Sequence, residues 1–318
     1  MSAALTHVSR LWGRYWLLPG GIPLAYALVM WAIGDLRPEH VIIPLIAGVL
    51  AYTSEKTKRF FLDVVPYLAV GFGYDLVRYA RAVALTSERV WGCGLRDFEL
   101  SLFSVAPGVT FQDYFALHHH PVLDVIFSIP YAIFVYVAIA YAAYLFFVDR
   151  QRMRHYLWAF MIANFISFAM WLIIPAAPPW YLRAAGCSID LNAQPSAAAL
   201  LRVDALFGMD YFQRFYSRAA SVYGAMPSMH CAYPLLGLLT AWKAASWRTR
   251  PIHIVYTLVM FVAAVYLDHH WIVDALAGWV VAIVAVLLAR RLLVRLGLWE
   301  VSIAQPSEPV SPAVVAAE

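Results

Sequence analysis

Long apolar runs almost free of charge, separated by short clusters of arginine and lysine, leave this chain one solvent in which to fold: a lipid bilayer. A helix needs about 20 apolar residues to cross the hydrocarbon core. The runs are residues 15–34, 41–52, 60–79, 122–148, 156–175, 228–245, 252–267 and 271–289. The second is short for a span and reads as tilted or re-entrant. The pattern predicts an all-α, polytopic helical bundle of about eight spans. Composition agrees: 63% of the 318 residues are hydrophobic and only 13% are charged, too few charges to clothe a soluble domain. The net charge of +4 is too small to suggest a nucleic-acid partner. Cys93, Cys187 and Cys231 match no zinc or redox spacing. Residues 1–14 carry no secretory signal, so the first run reads as a retained span.

Basic residues orient the bundle. Arg10 and Arg14, then Lys56, Lys58 and Arg59, then Arg150, Arg152 and Arg154, then Lys243, Arg248 and Arg250, and finally Arg290, Arg291 and Arg295 all fall on one side if the chain crosses eight times. That side is read as the cytoplasm. Residues 80–121 and the helix expected near 197–215 read as interfacial elements on the other side. Residues 1–59 read as accessory spans, residues 60–300 as the main membrane domain, the part expected to carry any chemistry, and residues 301–318, with Pro306, Pro309 and Pro312, as a disordered tail.

Chemistry-bearing residues sort to the non-cytoplasmic side. In Asp268-His269-His270-Trp271-Ile272-Val273-Asp274, His270 and Asp274 are four residues apart and share a helix face. A carboxylate there can fix the tautomer of the imidazole and leave its other nitrogen as a base or nucleophile. In Gly224-Ala225-Met226-Pro227-Ser228-Met229-His230, proline opens a helix whose free N–H groups suit phosphate, with Ser228 adding a hydroxyl and His230 a general acid or base. Each has a plainer reading, an incidental helical pair or a capped span.

Together these residues resemble a known family. Pro227-Ser228-x-His230 and His270-x3-Asp274-x3-Gly278 resemble the second and third signature motifs of the type 2 phosphatidic acid phosphatase superfamily. Tyr74-Asp75-x2-Arg78 and Pro175-Ala176-Ala177-Pro178-Pro179-Trp180-Tyr181 are similar to the branch holding inositol phosphorylceramide synthase, the inositolphosphotransferases. The resemblance covers roughly residues 60–289. It implies a helical membrane core and metal-independent phosphotransfer through a phosphohistidine, with no cofactor. It also implies that His270 is the nucleophile, that Asp274 orients it, and that His230 protonates the departing alcohol and then deprotonates the acceptor. The implied partners are a glycerophospholipid donor and a ceramide-like or other hydroxyl acceptor. The implied site is lumenal or periplasmic, in a bacterial inner membrane or in the Golgi or endoplasmic reticulum. Water as acceptor would give a lipid phosphate or polyprenyl diphosphate phosphatase instead. A non-catalytic lipid-binding protein is a third reading, although binding alone does not require His230, His270 and Asp274.

The chain also departs from the family's hydrolases. Ala264 stands where they carry an arginine six residues before the third-motif histidine, and their Lys-x6-Arg-Pro motif is absent. Arg78 is the natural substitute as phosphate clamp, since a guanidinium holds phosphate oxygens with two parallel bonds; Arg183 is a second candidate. The plainer alternative for Arg78 is a snorkelling interfacial residue. Asp75 could pair with Arg78 or contact a polyol head group. Tyr74 belongs to the same polar set. Trp180 and Tyr181 suit an aromatic platform or an interfacial belt. His118, His119 and His120 suit head groups better than a metal, because adjacent side chains diverge. Cys93 and Cys187 share the non-cytoplasmic side and could pair where the compartment oxidises.

Overall fold

A computed structural model describes residues 3–299; the tail expected at 301–318 lies outside the described residues. Among the described residues the regular structure is helical apart from one two-stranded hairpin. Its elements are α1 (Ala3–Trp12), α2 (Leu18–Ala32), α3 (Glu39–Thr53), α4 (Glu55–Ala84), α5 (Cys93–Leu102), β1 (Ser104–Ala106), β2 (Val109–Thr110) and α6 (Phe111–Leu117). There follow α7 (Pro121–Val148), α8 (Arg150–Ile173), α9 (Pro179–Ala185), α10 (Leu201–Phe207), α11 (Tyr211–Tyr216), α12 (Met229–Ala241), α13 (Arg250–Tyr266) and α14 (Ile272–Arg295). Every apolar run read from the sequence carries a helix. Four of them, α4, α7, α8 and α14, are long and apolar enough to cross a membrane alone. The stretch Leu5–Tyr15 meets α2 at 84°, and this bent pair would make a fifth. Helices α3, α12 and α13 are apolar but shorter. The protein is an integral membrane protein.

Helix α8 is the hub and packs against α4, α7, α12 and α14. Its buried face carries Tyr156, Ala159, Phe160 and Ala163 against Leu235, Leu236, Ala282 and Ala285. Small residues let backbones approach closely, the usual basis of helix association in lipid. One end of α8 is fixed by charge: Asp63 of α4 accepts from Arg150 Nε at 2.6 Å and Arg154 Nε at 2.7 Å.

Gly278 is required by a close approach. A Cβ built there would lie 2.2 Å from the Ser228 carbonyl oxygen, so only glycine lets the chain entering α12 lie on α14. That contact is closed by Ser228 N donating to Asp274 O at 2.9 Å. The spacing that puts glycine one turn after Asp274 therefore locks the two histidine segments together.

The loops between spans are ordered by backbone pairing. Ala176 sits between Trp91 and Gly224 in two parallel bridges. Ala176 N donates to Tyr223 O at 2.9 Å, and Ala225 N donates to Ala176 O at 3.3 Å. A Cys93–Cys187 disulfide ties the start of α5 to the segment after α9.

Candidate active site

His270 and His230 face each other. His270 Nε2 and His230 Nδ1 are 3.1 Å apart. His270 Nδ1 lies 2.9 Å from the Ala225 carbonyl, which can only accept, so this nitrogen carries the proton. Nε2 of a neutral His270 then holds a lone pair, and His230 donates to it from Nδ1. His230 Nε2 in turn accepts from the Tyr216 hydroxyl at 3.3 Å; burial pushes that phenol well above its ordinary range, so it keeps its proton. One consistent set of tautomers runs from Tyr216 through both rings to Ala225. His230 stacks on Tyr131, at 4.1 Å between centroids, and meets Phe134 at 4.3 Å with the rings tilted by 40°.

Asp274 is fully buried and stands 3.7 Å from His270 Nδ1. Its Oδ2 accepts instead from Trp271 N at 2.9 Å, because an aspartate at the third position of a helix reaches back to the capping residue. The carbonyl of Ala225 takes the hydrogen bond expected of Asp274, and the carboxylate stands beyond hydrogen-bond distance of the ring.

A second carboxylate shapes this loop. Glu99 of α5 is fully buried and accepts from Ile272 N at 2.8 Å and Val273 N at 3.1 Å, an anion at the positive end of α14. Burial, the largest cause, holds its carboxyl above the usual carboxylate range against those hydrogen bonds. Gln112 bridges Glu99 Oε1, at 3.3 Å, to the His270 carbonyl, at 3.0 Å. His269 is buried with Nε2 3.0 Å from Ala197 O, and burial pushes its imidazole down to about 3, so it stays neutral.

Both histidines open on a cavity of about 780 Å³ with a mainly apolar wall. Of the residues singled out from sequence, His230, His270, Arg78, Asp75, Tyr74 and Trp180 line it. Arg78 Nη2 donates to Arg218 O at 3.1 Å, and Tyr74 OH accepts from Ala220 N at 3.0 Å, pinning the loop after α11 to α4.

Four residues lie elsewhere. Ser228 is buried and caps α12 by accepting from Cys231 N. Arg183 is held by Asp268 and Asp113 and braces the loop before His269. Tyr181 is buried, donating to Ser188 O at 2.9 Å and accepting from Asp190 N at 2.7 Å. His119 faces Asp124 at 3.5 Å. The Pro-Pro-Trp-Tyr segment serves the site through its backbone: Ala176 supports Ala225, and Ala177 O accepts from Trp271 Nε1 at 2.9 Å.

The sequence reading missed Glu99, Gln112, Tyr131, Tyr216 and Arg218. Arg218 lines the cavity directly ahead of the His230 motif, and its guanidinium has no hydrogen bond or ion pair among the described residues. A basic residue so near the motif was the available signal. Glu99 and Gln112 act across more than 150 residues of sequence and leave none.

The helical membrane core places two histidines in contact on the wall of a large, mainly apolar cavity, as a membrane enzyme acting on a lipid would require. The particular family is shown by comparison: a family model described as the PAP2 superfamily matches residues 100–288, and the chain belongs to that superfamily. The phosphoinositol dihydroceramide synthase of Bacteroides thetaiotaomicron is 33% identical over 258 residues, covering 80% of this chain and 84% of that protein. The inositol phosphorylceramide synthase catalytic subunits of Schizosaccharomyces pombe and Saccharomyces cerevisiae are each 29% identical, over 54% and 56% of this chain and 42% and 45% of theirs. No solved structure matches. The chain is an enzyme of this superfamily.

Proposed function

We propose that the enzyme transfers phosphoinositol from a glycerophospholipid to the hydroxyl of a ceramide-like lipid through a phosphohistidine on His270. The observation that carries this reading is the 3.1 Å pairing of His270 Nε2 with His230 Nδ1 on the wall of a large apolar cavity. A phosphodiester entering between the rings meets the Nε2 lone pair on one side and a proton donor on the other. With the anionic donor bound, His230 carries a proton on each nitrogen; Nε2 of His270 bonds to phosphorus, the bond to the diacylglycerol oxygen breaks, and His230 passes its Nδ1 proton to that oxygen and is left neutral. The acceptor hydroxyl then gives its proton to His230 and attacks phosphorus, breaking the P–N bond and restoring His270. Throughout, Nδ1 of His270 keeps its proton on Ala225 O, and Asp274 offsets the positive charge the ring acquires. No step uses a metal.

Arg78 holds the donor phosphate, with Arg218 beside it, and Trp180 offers a face to the substrate from the same wall. The bundle crosses the membrane eight times, with α5, α6, α10 and α11 lying at the interface. The site opens on the lumenal or periplasmic side. The five basic clusters support that orientation, as does the disulfide, since such bonds persist in oxidising compartments.

The test is purified enzyme with inositol-labelled phosphatidylinositol, with and without ceramide. Ceramide-dependent label in a lipid that survives mild alkali supports transfer. Release of water-soluble inositol phosphate at the same rate with or without ceramide would make the enzyme a hydrolase.

A further inference from the structure

The hairpin of α2 and α3 lies outside the residues matched by the family model, yet it builds part of the cavity wall. Tyr26 of α2, Arg37 of the turn and His40 of α3 converge on Asp75 of α4. The Tyr26 hydroxyl and the Arg37 guanidinium both donate to that carboxylate, and His40 Nε2 lies 2.8 Å from Oδ2. All four line the cavity that holds His230 and His270, and Asp75 and His40 are buried. Ionisable groups on a spanning helix are costly and mark function by default. Docking the hairpin does not need them, because at the other end of the same helices Ala47, Ala51 and Phe61 do so with apolar contacts, the cheaper solution in an interior.

Position says what the cluster faces. Asp75 is one turn before Arg78, about 4.5 Å along the helix, and Arg78 Nε lies 3.9 Å from its Oδ1. A group esterified to a phosphate at Arg78 therefore falls beside Asp75. The cluster combines a carboxylate that only accepts, a guanidinium that only donates, and a phenol and an imidazole that do both. Hydroxyls on neighbouring carbons donate and accept in the same way. A few convergent polar groups in an otherwise apolar cavity fix a ligand's orientation and set its specificity.

We propose that Tyr26, Arg37, His40 and Asp75 form a head-group subsite that reads the hydroxyls of a polyol esterified to the donor phosphate. This rests on the phosphotransfer reading above and assigns the choice of donor to the N-terminal hairpin, with the long-chain acceptor left to the apolar wall.

The experiment compares full-length enzyme with its Asp75→Asn, His40→Gln and Tyr26→Phe variants on two donors, phosphatidylinositol and phosphatidic acid, which lacks the polyol. For Asp75→Asn and His40→Gln, kcat/KM on phosphatidylinositol should fall at least tenfold more than on phosphatidic acid, mainly through KM. A buried site left with unpaired polar groups discriminates by that order or more. Tyr26→Phe keeps its ring packed on Phe72, 4.6 Å between centroids, and should shift the ratio the same way by severalfold, which covers the case that a bolder variant does not fold. Equal losses on both donors would overturn the subsite in favour of a structural role. Binding separates this inference from the reading it rests on. Inositol 1-phosphate should raise the melting temperature of wild type more than inorganic phosphate does, and His40→Gln should abolish the difference. If that holds while no inositol-labelled ceramide forms, the subsite stands and phosphoinositol transfer falls. If inorganic phosphate stabilises wild type as well as inositol 1-phosphate does, the subsite falls.

Discussion

Replacing Asp274 by asparagine tests whether its charge, rather than a hydrogen bond, serves His270. In the resting site Nδ1 of His270 is bonded to Ala225 O, and the carboxylate stands 3.7 Å off. When Nε2 bonds to phosphorus the ring becomes cationic. Opposite unit charges at about 4 Å in an effective dielectric of 20 attract by about 4 kcal/mol. The resting ring is neutral, so most of this acts on the transition state and the phosphoenzyme. At about 1.4 kcal/mol per decade, Asp274→Asn should slow phosphoenzyme formation by about 10³-fold. Asparagine keeps an acceptor for Trp271 N, so stability should change by no more than about 1 kcal/mol, the order of a lost cap. Single-turnover quenching with labelled donor lipid reads the chemical step, and a melt in the same detergent reads the fold. A fall of less than tenfold in a well-folded variant would refute the electrostatic role.

Other perturbations follow from the same geometry. Gly278→Ala puts a methyl group onto the Ser228 carbonyl; overpacking of this kind costs about 1–3 kcal/mol, and the melt should fall together with kcat because the shift separates His230 from His270. Arg78→Lys keeps the charge but loses the planar fork and its bond to Arg218 O, and should lower kcat/KM on lipid donors about tenfold with only a small fall in the melt. Arg183→Lys should do the reverse, lowering the melt more than the rate, because its guanidinium braces Asp268 and Asp113. Burial pushes the Asp268 carboxyl up to about 6, against Arg183. A folded value above the unfolded one gives stability that is full below about pH 4 and lost as pH rises through 6, so Asp268→Asn should flatten the melt across that window.

The parts of the site that were legible in the sequence are those encoded by local spacing. Ser228 marks the start of α12 because serine favours the capping position, whereas His270 and Asp274 do not share a helix face, since His270 precedes α14, which starts at Ile272. Apolar length located α2, α3, α4, α7, α8, α12, α13 and α14. What the spacing hid is what nonlocal backbone decides. Ser228 was expected to face phosphate, but glycine at 278 draws its backbone onto α14 and turns the side chain to capping. Arg183 reads as a free cation until Asp113 and Asp268, distant in sequence, are brought to it. Asp274 was expected to hold His270 by a hydrogen bond, but the Ala225 carbonyl reaches Nδ1 first. That carbonyl is placed by Ala176 and Trp91, which no periodicity connects to a histidine. The hairpin of α2 and α3 read as accessory because its polar residues acquire meaning only around Asp75.

The alanine at 264 gives the departures from the family's hydrolases one physical cause. Ala264 is fully buried, and its carbonyl accepts from both His269 N and His270 N, at 3.3 and 3.1 Å, closing the turn that presents His270. Around it lie Met260, Leu267 and Ala275, an apolar setting in which an arginine would be an unpaired buried charge. A cation for the donor phosphate cannot come from α13 without breaking that packing. The cations that line the cavity come instead from α4, the loop after α11 and the α2–α3 turn, namely Arg78, Arg218 and Arg37.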